Sequence, residues 1–260
     1  MNYFIEGLQG SGKSTLLSKI SDLHPDYRVL REGDYNPVEL SWCAYMTDQQ
    51  YFDILEKYPD ISSRIKDLTF SEGDRRIVCY TKVQTDNGEF YKDLEQFEIY
   101  NGRVSQDDFK KIILRRFENW HGNDSIFECS LFQNIVVDML LFRNATDVEI
   151  IDFYKDIRNA LEGKDMKILY LRADNIKANL DVIRKERSDE NGNELWFPMM
   201  CGFFNDSLYA RENGVSGEEG LIDHFAQRQE LELRICRELF ADKVTVLSSK
   251  GYTDKMLADL

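Results

Sequence analysis

The chain opens on residues 2–6, a short, mostly apolar run rich in aromatic and β-branched residues that meets glycine at once, the pattern of a buried strand running into a loop. After Lys13 the apolar positions Leu16, Leu17, Ile20 and Leu23 recur at helical spacing until His24-Pro25 stops the run. Four more strand-like runs follow at 27–30, 125–128, 167–171 and 243–247. Helix-period stretches at 106–119, 131–142, 150–161, 175–186 and 222–240 separate most of them. Alternation of this kind predicts βαβ units, and hence an α/β fold of three layers around a parallel five-stranded sheet.

The stretch at about 42–120 is long for a crossover and carries signals of its own. Residues 76–84 and 97–104 are strand-like on either side of Asp86-Asn87-Gly88, which predicts a β-hairpin, with a helical turn at 90–94 as the competing reading. Its aromatics, among them Trp42, Tyr51, Phe52, Tyr80 and Phe97, are expected in a local core, although such rings also stack on planar ligands. The polar stretch 188–194, with Asn191-Gly192, reads as a mobile loop. The expected organisation is one domain over 1–260, with an insertion at about 42–120 and a lid at about 184–196.

Composition narrows the partners. Forty-seven acidic residues against 33 basic ones give a net charge of -14, a surface that repels nucleic-acid polymers and anionic membranes. No apolar run approaches the length of a membrane span, and Met1 leads into a strand without a basic-then-apolar leader, so the expected location is the cytoplasm. The five cysteines are scattered and include no Cys-x-x-Cys pair, which suggests neither zinc nor a disulfide framework.

The sharpest motif is Gly7-Leu8-Gln9-Gly10-Ser11-Gly12-Lys13-Ser14-Thr15, placed between the first strand and the first helix. Its glycines, Gly7, Gly10 and Gly12, let successive backbone N–H groups turn inward, with those of Ser11 and Thr15, around phosphates at a helix N-terminus. Lys13 reaches the β- and γ-phosphates, and the Ser14 hydroxyl is placed to ligate Mg²⁺. The motif predicts a bound nucleoside triphosphate with magnesium and leaves the fate of the γ-phosphate open.

Ligands of an open α/β sheet lie beyond the carboxyl ends of its strands, and two of those ends are acidic. Glu32 and Asp34 follow the second strand, where either is a candidate base for an attacking hydroxyl, or part of a polar turn. Glu128 ends the 125–128 strand and is the second candidate metal ligand, because a charge at the end of an apolar strand needs a partner. Asp138 follows a short apolar run but continues a helical period, so it is expected on a helix. Arg184 and Arg187 stand three apart near a helix end, where they share a face suited to closing over a triphosphate or simply complement the helix dipole. Arg228 is a weaker candidate, equally explained by a surface pair with Glu230 or Glu232.

These residues together resemble the small P-loop kinases of the nucleoside-monophosphate and deoxynucleoside kinase group, over 1–34, 125–130, 167–187 and loosely 243–252. Pro37-Val38-Glu39-Leu40-Ser41-Trp42 is similar to the Glu-Pro-Val-x-x-Trp stretch of deoxynucleoside kinases, with Asn36 where that family has Glu. Glu32-Gly33-Asp34 looks instead like the acidic loop of small-metabolite kinases such as gluconate kinase. The family's Glu-Arg-Ser appears as Glu128-Cys129-Ser130. The resemblance implies ATP as donor, Mg²⁺ as cofactor, a lid bearing Arg184 and Arg187, a loop at 248–252 over the adenine, and a small-molecule acceptor: a nucleoside, a nucleotide or another hydroxylated metabolite. An ATPase switch or a non-catalytic nucleotide-binding module acting on a protein partner is the rival reading. The oligomeric state is open, with a homodimer among the options.

Overall fold

The computed structural model describes residues 1–249 and 251–258, the last without its side chain, so Lys250 of the expected adenine loop lies outside the described residues. The chain divides into two compact units, one of Met1–Val29 with His121–Leu260 and the other of Leu30–Trp120.

The chain enters through β1 (Asn2–Gly7), α1 (Lys13–Leu23) and β2 (Arg28–Leu30). Unit 30–120 then holds β3 (Ala44–Thr47), α2 (Asp48–Lys57), α3 (Ser62–Asp67), β4 (Thr69–Glu72), β5 (Arg75–Val78), α4 (Gly88–Glu95) and α5 (Gln106–Asn119). The return to the first unit brings β6 (Ser125–Glu128), α6 (Gln133–Leu141), α7 (Asp147–Ala160), β7 (Met166–Arg172) and α8 (Ile176–Glu186). It ends with α9 (Trp196–Asn205), α10 (Leu208–Asn213), α11 (Gly217–Leu239), β8 (Val244–Ser248) and α12 (Asp254–Ala258).

The first unit is organised by a five-stranded, all-parallel sheet in the order β2-β6-β1-β7-β8. Strand β1 is its centre: Phe4 lies opposite Phe127 of β6 on one side and Ile168 of β7 on the other, and Tyr3, Phe4 and Ile5 are buried. From β1 the chain goes first to the edge strand β2, returns to β6 between β2 and β1, and then crosses to β7 and β8 on the other side, so the loop after β1 stands at the topological switch point. Apolar residues of α1 (Leu16, Leu17, Ile20) pack with Ile5, Ile126 and Leu169 in a single core cluster. Asp138 lies on α6, as its helical period predicts, and is buried with Arg143 as its ion-pair partner.

Unit 30–120 is built differently, around a three-stranded sheet in the order β3-β5-β4 with both pairings antiparallel. The expected hairpin about residues 86–88 is not present. Asn87 instead caps α4, its side chain accepting the Glu89 N–H at 3.0 Å, so Asn-Gly begins a helix where a hairpin turn was predicted. The partners of β5 are β3 and β4, and no strand forms over residues 97–104. Tyr51, Tyr80 and Phe90 belong to the local core of this unit, whereas Phe52 and Trp42 are exposed. The β3/β5 register places Ala44 opposite Val78, and one step beyond it the buried thiols of Cys43 and Cys79 lie 3.7 Å apart. Residues 188–194 form a turn closed by a bridge between Ser188 and Glu194.

Candidate functional site

The loop after β1 is shaped by positive backbone angles and close approaches. Gly7 has φ 138°, and a Cβ there would stand 2.5 Å from the Leu171 carbonyl oxygen, so only glycine fits. Gly10 and Gly12 have φ 75° and 93°. The outward-turned carbonyls are held by protein donors: Asn179 Nδ2 donates to the Gln9 carbonyl at 2.6 Å and Ser249 Oγ to that of Ser11 at 2.8 Å. Helix α1 starts at Lys13 from Gly12 without a side-chain cap, which leaves its first N–H groups and the positive end of its dipole for an anion.

Lys13 is buried, and its Nζ donates to the carbonyls of Gly7 (3.0 Å) and Leu8 (2.9 Å) and to Gln133 Oε1 (3.1 Å). Beside it, Ser14 Oγ donates to Glu128 Oε1 at 2.6 Å. The serine opens α1 and the carboxylate ends β6, so elements more than a hundred residues apart in sequence converge on one point at the loop. Two hard oxygens so placed suit Mg²⁺, which favours carboxylate and hydroxyl donors over nitrogen or sulfur. Cys129, next to Glu128, takes a left-handed φ of 57°, an uncommon geometry for a residue with a Cβ, as the chain turns from β6 toward α6.

The sequence reading missed the buried polar layer around this loop. Glu6, within the apolar β1 run, accepts the Leu131 N–H at 2.7 Å and the Gln133 N–H at 3.4 Å, and so orders the turn after β6. Burial pushes its carboxyl up to about 8, with Glu232 adding to the shift and Lys13 opposing it. Arg228 is corrected from a surface position: it is wholly buried with Glu232 at 3.1 Å, and its Nη2 approaches the Gly7 carbonyl at 3.4 Å. Tyr170 OH donates to Glu232 at 2.7 Å. The four-residue spacing of Arg228 and Glu232 was visible in the sequence; their burial followed from α11 facing the core on that side.

Arg184 and Arg187 stand at the end of α8, each with partners of its own. Arg184 bonds Glu194 through Nε (2.9 Å) and Nη2 (3.0 Å) and Glu218 through Nη1 (3.0 Å), with its guanidinium 4.0 Å from the centre of the Phe197 ring. Arg187 lies over the Trp196 ring at 5.5 Å. Of the acids expected after the second strand, Asp34 accepts the Arg31 N–H at 2.8 Å and pairs with Lys82 at 3.1 Å, which braces the turn; Glu32 is half-buried. Both belong to unit 30–120.

Central β1, the switch-point loop and the Lys13, Ser14 and Glu128 cluster together give an α/β fold with a glycine-rich, anion-accepting loop at its switch point. No protein-family model and no curated protein matches the sequence. Among solved structures, the chain is similar to a gluconokinase from Sinorhizobium meliloti 1021, at 10% identity and a TM-score of 0.36, over 99% of this chain and 87% of that one. It is also similar to a deoxyadenosine kinase from M. mycoides with bound dATP, at 17% identity and a TM-score of 0.41, over 100% of this chain and 98% of that one. Among the described residues, no helix is long and apolar enough to cross a membrane.

Proposed function

We propose that the chain is an ATP-dependent small-molecule kinase, and the observation that carries this reading is the 2.6 Å contact between Ser14 Oγ and Glu128 Oε1 beside Lys13. A phosphate cradle alone fits any nucleotide-binding protein. A strand-end carboxylate held against the first hydroxyl of the helix supplies the metal-side donors that phosphoryl transfer needs. Magnesium, when bound by Ser14 and Glu128, would neutralise charge on the phosphate oxygens. In this assignment Lys13 and the N–H groups of residues 10–15 bind and orient the triphosphate, while Gln133 and Glu6 hold Lys13 and the turn behind Glu128 in position. Arg184 and Arg187 form the arginine pair of a lid, and recruitment of Arg184 to phosphate requires exchange of its contacts to Glu194 and Glu218.

Glu32 and Asp34 serve the acceptor side. Asp34 is engaged with the Arg31 N–H and Lys82, and either acid is a candidate base for an acceptor hydroxyl. The acceptor is a nucleoside, a nucleotide or another hydroxylated metabolite, and a cytoplasmic location suits it. A thermal-shift screen of these compound classes with Mg-ADP identifies the acceptor, because binding to the native state raises Tm by mass action. On that acceptor, Glu128→Gln and Ser14→Ala are expected to raise the magnesium concentration needed for half-maximal turnover about tenfold or more. An unchanged magnesium requirement in both variants would remove the pair from the metal site and leave the kinase reading without its support.

A further inference from the structure

Unit 30–120 contains a cavity of about 770 Å³ that the proposed phosphoryl transfer does not use, and its volume is in the range that holds a small molecule. One face of α5 lines it, with Asp108, Lys111, Ile112, Arg115, Arg116 and Asn119 recurring at helical spacing. The lining also includes the neighbouring Tyr45 and Phe97, which provide flat apolar surface.

The charges around this cavity are unequally matched. Glu72 is taken by Arg116 and by Tyr35 OH, Glu98 accepts from Tyr80 OH at 2.6 Å, and Asp74 lies 3.8 Å from Arg75. Burial also pushes the Glu98 carboxyl up to about 7, which lowers the negative charge it carries near neutral pH. The cations are less completely engaged. Arg116 is 95% buried (5% exposed); Nη1 meets Glu72 and Nη2 the Asn36 carbonyl, but Nε is buried without a hydrogen-bond partner. Lys111 and Arg115, one helical turn apart, are exposed, and among the described residues neither is in an ion pair. A buried guanidinium N–H lacking an acceptor is costly, and a planar donor group beside two further cations is suited to a phosphate. In a chain with a net charge of -14, this local excess of positive charge is a departure from the surface as a whole.

We propose that this cavity binds an aromatic phosphate monoester, with the phosphate against Lys111, Arg115 and Arg116 and the ring against Tyr45 and Phe97. The site is independent of the glycine-rich loop and does not rest on the kinase reading. Phenyl phosphate is the probe, phenol its neutral control, and calorimetry on the full chain the measurement. Phenyl phosphate is expected to bind and phenol not to. The double variant Lys111→Ala/Arg115→Ala should weaken phenyl phosphate at least about tenfold, since each charge-assisted contact is worth that order. Lys13→Ala should leave it unchanged. Both α5 positions are exposed, so the double variant is expected to keep the wild-type Tm and circular dichroism. Four results would each overturn the proposal: no heat from phenyl phosphate at millimolar concentration, equal binding of phenol, affinity that survives the double variant, or affinity lost in Lys13→Ala. The last would place the anion in the glycine-rich loop.

Discussion

In the unit built on the parallel sheet, one strand end collects the chemistry: β1 ends in the loop, α1 begins with Lys13 and Ser14, and β6 delivers Glu128 to the same point. In unit 30–120 the three-stranded sheet is antiparallel, and its charged groups are dispersed along the face of α5 and the turn at Asp34. The contrast shows what each architecture does well. Parallel strands with helical crossovers bring their carboxyl ends together whatever the sequence between them, so a site at the switch point is inherited from topology. A small antiparallel sheet offers no such common end, and a site on it must be assembled from side chains.

The sharpest way to break this comparison is to place a similar lesion in each unit. Arg228→Ala, which strands the wholly buried Glu232, is expected to cost about 3–5 kcal/mol in the first unit. Arg116→Ala is expected to cost about 2–3 kcal/mol in the second, less because Glu72 keeps partial access to water. Differential scanning calorimetry of the two variants reads both costs. If the units melt separately, each variant lowers one transition and leaves the other; a single transition lowered by both would show one cooperative fold.

A smaller effect is expected from Lys13→Ala, which should weaken Mg-ATP by about one to two orders of magnitude, the value of one or two charge-assisted hydrogen bonds. Calorimetric titration measures it, and an unaltered affinity would separate the loop from nucleotide binding. The fold should survive, because the lysine bonds loop carbonyls and Gln133 and contributes little to packing.

The smallest effect concerns pH. Glu6 has an ordinary value of 4.5 and a folded value of about 8, so between these the native chain holds a proton that the unfolded chain has lost. Stability therefore falls as pH rises through that window and levels off above it. Glu39 and Glu98 act in the same direction in unit 30–120, but their window closes at about 7. His224, depressed by burial to about 3, acts oppositely, with stability lost as pH falls from 6.5. Burial raises the Glu232 carboxyl in the same direction, so Glu6 supplies part of the decline between about 7 and 8, and Glu6→Gln should make that part of the profile shallower in urea titrations at several pH values. A decline of wild-type steepness in Glu6→Gln would assign it elsewhere.

How much of this was legible in the sequence follows the same division. The loop was legible because all its determinants are local, and Glu128 because a strand end in an α/β alternation has only one place to be. Glu6 was hidden inside an apolar run, where period and composition give no sign that a carboxyl is buried. The pairing of 44–47 with 75–78 and of 75–78 with 69–72 depends on contacts that a linear pattern does not carry. Asn87-Gly88 is chemically able both to turn a hairpin and to begin a helix, and the tertiary packing of Phe90 and Leu94 selected the helix.

The cysteines have a consequence of a different kind. Cys43 and Cys79 are buried in one unit, and Cys129 and Cys236 in the other. A thiol reagent can reach such groups only when the surrounding structure opens, so the modification rate at each pair is a clock for the opening of its own unit. The protein thus contains two separate reporters of its local dynamics, readable by mass spectrometry of the wild-type chain without any introduced label.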